Sequence, residues 1–180
     1  MRPRQVRKFV LSTALVAATR TPLGLRPPAL WSGLRLGLAV AAPVMLGVAA
    51  ATAVPPVRAA MADRDLPDAS ARWLLLRIPL GTVWAEEAMY RAALGTMAAA
   101  AFGPTGGRLL QSAVFGLSHI ADARAAGEPV VGTVVVTGAA GWLCALLFER
   151  SGSLAAPMLA HLAINEAGAV AALAVQRRGR

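Results

Sequence analysis

Residues 80–102 read LGTVWAEEAMYRAALGTMAAAAF. The run is apolar except for Glu86, Glu87 and Arg91, and it is as long as a bilayer crossing, which takes roughly 20 residues. A charge near the middle of a bilayer costs about 2.5–3.5 kcal/mol on insertion scales, so such residues face a partner or a wet cavity. The rest of the chain says which solvent this run meets. Of its 180 residues 57% are hydrophobic and 15% charged, against roughly 45–50% and about 25% for soluble domains. Lipid is the solvent for much of the surface. The expected fold is all-α, a multi-pass transmembrane helical bundle of about five hydrophobic segments around a polar cavity.

Working outward, Trp73 to Phe102 forms one segment that also contains Arg77, and Pro79 is expected to open its main helix, because proline suits a first turn. Gly103-Pro104-Thr105-Gly106-Gly107 ends it. On the C-terminal side come Leu109–Ile120, short for a crossing, then Val130–Phe148 and Leu154–Val175. They are separated by turns at Gly127-Glu128-Pro129 and Glu149–Ser153. On the N-terminal side, the mixed-charge stretch 58–72 reads as a loop, and Leu36–Val54 as the first clear span. Residues 1–35 read as a basic cytoplasmic lead-in, partly an interfacial helix, and residues 36–180 as a single membrane domain. The protein is expected to be an integral, multi-pass protein of a bacterial plasma membrane, with the lipid bilayer as its constant partner.

The formal net charge of +9 does not point to nucleic acid. The basic residues crowd the ends, Arg2, Arg4, Arg7 and Lys8 at one and Arg177, Arg178 and Arg180 at the other. That is the flanking pattern of membrane spans rather than a basic face. If both ends are cytoplasmic the number of crossings is even, so either the Leu109 segment is re-entrant, the lead-in crosses, or one end breaks the charge rule. The single cysteine, Cys144, excludes an intramolecular disulfide and reads as a packed thiol.

On a helix, adjacent residues diverge by about 100°, so Glu86 and Glu87 are not expected to face one point. Glu87 and Arg91 are four apart with the acid first, the favourable order for an intrahelical pair. That leaves Glu86 unpaired, and a poorly solvated carboxylate suits proton transfer. The alternative is that both glutamates anchor the helix by salt bridges. The two histidines and the one asparagine in the chain all lie in embedded segments. Phe115 and His119 share a helical face, as do His161 and Asn165.

In chain order, Glu86-Glu87-Ala88-Met89-Tyr90-Arg91 fits EExxxR, Phe115-Gly116-Leu117-Ser118-His119 fits FxxxH, and His161-Leu162-Ala163-Ile164-Asn165 fits HxxxN. Each is weak alone, but the ordered set on hydrophobic segments resembles the CAAX-protease and bacteriocin-processing (CPBP, Abi-type) family of intramembrane endopeptidases. The resemblance covers about residues 80–175. It implies a peptide-bond hydrolase acting near the membrane, on a membrane-associated peptide or protein, through a glutamate- and histidine-activated water. Carried onto this chain, Glu86 would be the general base, and His119 would position the water or share its proton. His161 and Asn165 would stabilise the oxyanion, with Glu87, Arg91 and Phe115 in support.

No cofactor is expected. Zinc is the minority alternative, since two histidines and a glutamate could supply three ligands, but an HExxH pair is absent and HxxxN offers a poor ligand. The functional alternative is a non-catalytic membrane binding module, such as a bacteriocin-immunity or secretion-partner protein. A transporter is a third reading, against which no inverted repeat is visible. Glu166 is a further embedded acid, expected either in a helix–helix ion pair or in the cavity.

Overall fold

Inside hydrocarbon a backbone satisfies its polar groups only as a helix or a closed barrel. The computed structural model describes residues 3–179, so Arg2 and Arg180 of the basic ends lie outside the described residues, as does Met1. The described residues form helices and no strand. They are α1 (Pro3–Thr19), α2 (Ala29–Ala51), α3 (Pro55–Ala62) and α4, followed by α5 (Thr96–Ser118), α6 (Ile120–Ala126), α7 (Val130–Ser151) and α8 (Ala155–Arg178). The helix α4 opens at Ser70–Arg72 and continues through π-helical stretches Trp73–Arg77, Pro79–Trp84 and Glu87–Gly95. Helices α2, α7 and α8 are each long and apolar enough to cross a membrane. The protein is an integral membrane helical bundle.

Two expectations about α4 and α5 change. Pro79 does not begin the helix but lies within it, where the turns are wide: Ile78 N–H donates to Trp73 O at 2.9 Å and Val83 N–H to Ile78 O at 2.9 Å. A π turn reaches back five residues, so the ring, which would clash with the carbonyl four back in an α-helix, is accommodated. The glycine-rich stretch breaks the helix at one residue rather than over five. Gly103 takes φ 74° and ψ 169°, and helix resumes at once. Positive φ is open to glycine without steric cost. The chain doubles back there, so that a Cβ on Gly107 would stand 2.6 Å from Ala99 Cα.

The packing is that of a membrane protein, with small residues inside and large ones outside. Ala88, Ala92, Ala156 and Ala172 have no exposed surface, whereas Leu46, Leu75, Phe102 and Val131 are exposed. Small residues let backbones approach closely where no hydrophobic force drives helices together. Helices α2 and α8 meet through Gly33 against Ser153 and Gly37 against Leu159. Helices α5 and α7 meet where Gly116 lies beneath Val134 O and Gly141 beneath the Phe115 ring. A fully buried Gln111 ties the same pair, donating from Nε2 to Gly141 O at 3.1 Å.

Helix α1 is built into this bundle along α4. Trp84 Nε1 donates to Thr13 Oγ1 at 3.0 Å, Arg77 Nε to Gln5 Oε1 at 3.3 Å, and Thr21 Oγ1 to Ala92 O at 3.2 Å. Beyond α1, Leu154 N–H donates to Leu23 O at 2.9 Å, joining the lead-in to the start of α8.

The α2–α8 contact gives a direct test. A Cβ on Gly37 would sit 2.9 Å from Leu159 Cβ and 3.0 Å from the Ala156 carbonyl oxygen. Gly37→Ala is expected to cost about 1–3 kcal/mol by overpacking, read as a lowered unfolding midpoint in detergent. Gly47→Ala, where a Cβ meets nothing within 4 Å, is expected to leave the midpoint unchanged or raise it slightly, since alanine is the better helix former.

Candidate active site

The most deeply buried charges in the protein are Glu87, with no exposed surface, and Arg91, 2% exposed. As the spacing predicts, they pair along α4, with Arg91 Nε 3.1 Å from Glu87 Oε2. Each also has a partner on another helix. Glu87 Oε1 accepts from His161 Nδ1 of α8 at 2.7 Å. The Arg91 guanidinium lies 4.1 Å above the centroid of the Phe115 ring of α5, a cation–π arrangement strengthened by desolvation. One linked set of polar contacts thus runs from α8 through α4 to α5.

Glu86 departs from the sequence reading, in which it faced away from its neighbour and had no partner. His161 Nε2 lies 3.9 Å from Glu86 Oε2, so the two adjacent carboxylates flank the two nitrogens of one imidazole. The ring is broad enough to span the angle between consecutive residues, and the π-helical stretch that begins at Glu87 departs from the 3.6-residue repeat. On its other side, Glu86 Oε1 is 3.9 Å from Lys8 Nζ of α1. Neither contact is at hydrogen-bond distance. Unlike Glu87, Glu86 keeps 15% of its side chain exposed, and it faces a cavity of about 150 Å³.

That cavity brings His119 beside Glu86, along with Ser118, Tyr90 and Asp122. His119 caps the end of α5, and its Nδ1 lies 2.8 Å from Phe115 O. A carbonyl only accepts, so in this contact Nδ1 carries the proton. The Phe115 ring stands edge-on to His119, with centroids 4.7 Å apart, and to Tyr90 at 5.0 Å. One residue therefore underlies both Arg91 and His119.

His161 is held by the same nitrogen. Glu87 takes its Nδ1–H, so Nε2 donates only when the ring carries both protons. Asn165, one turn on, donates from Nδ2 to its own helix at His161 O, 3.2 Å away. Glu86, Glu87, Arg91, Phe115 and His161 form one connected cluster, His119 joins it through the cavity, and Asn165 flanks it on α8. Among the described residues, no group of three His, Cys, Asp or Glu side chains has the spacing of a metal site. Glu166 lies apart, beside Arg58 and Arg178 in an apolar groove between α2 and α8.

The sequence reading missed Arg4 and Lys8, which line the Glu86–His119 cavity from α1. Their only signal was a four-residue spacing, which places two cations on one helical face. They had been read as part of a general basic flank.

The sequence model of the family described as Rce1-like, Type II CAAX prenyl endopeptidase Rce1-like, matches residues 68–167. This is more than half of the 180-residue chain. The match takes in Glu86, Glu87, Arg91, Phe115, His119, His161 and Asn165, and leaves α1, α2 and α3 outside. No curated protein and no solved structure matches the chain.

Breaking a buried ion pair by removing one partner costs about 3–5 kcal/mol, because it strands the other charge. Glu87→Ala and Arg91→Ala are each expected to destabilise the protein on that scale. The double variant is expected to lose much less than the sum of the two. Unfolding midpoints of the four proteins in one detergent would complete the cycle, and additive losses would contradict the pairing.

Proposed function

This chain belongs to the Rce1-like family of type II CAAX prenyl endopeptidases, and from that premise we propose that it is an intramembrane endopeptidase of the glutamic type, hydrolysing a peptide bond in a membrane-associated substrate. The family's description supports a lipidated C-a-a-X tail as the substrate class, in which the prenyl group sits on the cysteine. The membrane concerned is, in this proposal, the plasma membrane of a bacterium.

One observation carries the reading. Glu86 is the carboxylate of the pair that keeps access to a cavity, and His119, held through Nδ1 by the Phe115 carbonyl, lines that same cavity. A water between them would be polarised from two sides. In the proposed reaction Glu86 takes a proton from this water as its oxygen attacks the substrate carbonyl carbon, with His119 holding the water. The carbonyl electrons move to oxygen, giving a tetrahedral oxyanion. His161 and the Asn165 amide donate to that oxyanion, where hydrogen bonds aimed at developing charge contribute most. As the oxyanion collapses, the C–N bond breaks and Glu86 returns its proton to the leaving amine. Glu87 acts on His161 by holding Nδ1–H, and Arg91 neutralises Glu87 so that the set can be buried.

We take the reaction to need no metal, because HxxxN pairs its histidine with an amide, a poor zinc ligand. Full activity after exhaustive chelation, with no stoichiometric metal in the purified protein, is the expected outcome. Stoichiometric zinc whose removal abolishes cleavage would overturn this part of the mechanism.

General-base catalysis contributes typically 10²–10⁴-fold. Glu86→Ala is expected to lower kcat on a prenylated peptide by about that factor with little change in the unfolding midpoint, and His119→Ala and His161→Ala are also expected to be severely impaired. Full activity in Glu86→Ala would sink the mechanism. Complete rescue of a deletion phenotype by that variant would favour a binding module instead.

A further inference from the structure

Helix α1 lies outside the stretch that matches the family, yet it supplies two of the walls of the Glu86–His119 cavity. Arg4 and Lys8 both line it, across from Glu86, Tyr90 and His119. Their placement is fixed by contacts on either side along α1. Gln5 packs on Gly81 and accepts from Arg77, Ser12 is fully buried, and Thr13 accepts from Trp84. The cations therefore reach the cavity from a docked helix and not from a free tail.

Two cations in that place need an explanation, because the acids nearby consume them only in part: Lys8 makes a long ion pair with Glu86, and Arg4 makes none among the described residues. Lys8 Nζ stands 3.9 Å from Glu86, beyond hydrogen-bond distance, and its side chain is 41% exposed. The only other acid on the cavity wall is Asp122, and no ion pair joins it to Arg4 among the contacts of the described residues. Glu87, the remaining acid close by, is already held by Arg91 and His161.

We infer that the face of α1 carrying Arg4 and Lys8 is a receptor for the terminal carboxylate of the substrate tail. The inference rests on the endopeptidase reading and adds a specificity element to it. A C-a-a-X motif ends the chain, so any bond cut within it lies no more than three residues from a free carboxylate. At ~3.3–3.6 Å per extended residue that is at most about 10 Å. Arg4 is one helical turn from Lys8, about 6 Å along the axis, so the pair covers this range outward from Glu86. A carboxylate brought next to Glu86 would be repelled without such a counter-charge. The arginine fork suits it best, as guanidinium–carboxylate pairing is frequently bidentate. This arrangement favours cutting near a chain end, because an internal segment brings no charge to occupy the receptor.

The test compares two prenylated tail peptides that differ only at the terminus, one a free carboxylate and the other an amide, with the full-length protein in lipid nanodiscs. Binding is read by fluorescence anisotropy and cleavage by mass spectrometry. The wild type is expected to prefer the carboxylate form about tenfold or more, the scale of one charged hydrogen bond. Arg4→Ala combined with Lys8→Ala is expected to bring that ratio to about one, Arg4→Lys to keep part of it, and Arg4→Glu to reverse it. The ratio is internal to each variant, so lost folding lowers both arms together and leaves it unmoved. An unchanged ratio in the double variant, or no preference in the wild type, would overturn the receptor. Cleavage of both peptides without a preference would do so while leaving the endopeptidase reading intact. A preference in binding with no cleavage of either peptide would leave the receptor standing and remove the hydrolysis.

Discussion

The contact between Glu87 and His161 is the joint on which the arrangement of this protein turns. A carboxylate with no exposed surface, inside a bundle that faces lipid, has no water to stabilise it. Its charge must be met by neighbours, and three groups on three helices do so: Arg91 on α4 itself, His161 on α8, and Phe115 on α5 through the guanidinium of Arg91. Losing Arg91 strands the Glu87 charge in a medium that tolerates it poorly. The register of α4 against α8 is thereby specified by polar contacts. The apolar contacts along the same helices, Ile78 and Val83 against Ala169, Met158 and Leu162, add packing to that polar register.

That specification has consequences for proton placement. Glu87 holds Nδ1 of His161, and the Phe115 carbonyl holds Nδ1 of His119. Both rings are therefore held through Nδ1, but in different company. His119 lines a cavity, while His161 Nε2 faces a carboxylate 3.9 Å away. In the proposed mechanism this difference separates an acceptor that steadies the incoming water from a donor that meets the oxyanion. The carbonyl and the carboxylate that set the two rings come from backbone and from a buried side chain, the least mobile parts of their helices.

Much of this was legible in the sequence, and the gaps have a common cause. The lipid-facing composition, the helical class, the intrahelical Glu87–Arg91 pair and the shared face of Phe115 and His119 follow from residue types and a 3.6-residue repeat. What could not be read was any feature that depends on departing from that repeat or on contact between distant segments. The convergence of both glutamates on His161 belongs to a π-helical stretch, and a wheel of 100° steps separates them. Pro79 in mid-helix is accommodated by the same widening. Gln111, buried against Gly141, carries no local signature. Arg4 and Lys8 are 78 or more positions from Glu86 in sequence, and only the docking of α1 brings them near it.

The docking of α1 also bears on how a site can work where water is scarce. The family match begins only at residue 68, and its residues supply the carboxylates, the histidines and the asparagine. The cavity that Glu86 and His119 share is lined from α1 by Arg4 and Lys8. Hydrolysis inside a membrane needs a compartment wet enough for the attacking water and enclosed enough to keep the electrostatics strong. A wall of long basic side chains meets both needs, because the stems pack while the charged heads stay hydrated. The polar interior of this protein is therefore completed by a helix that the composition of the chain had marked only as a basic flank.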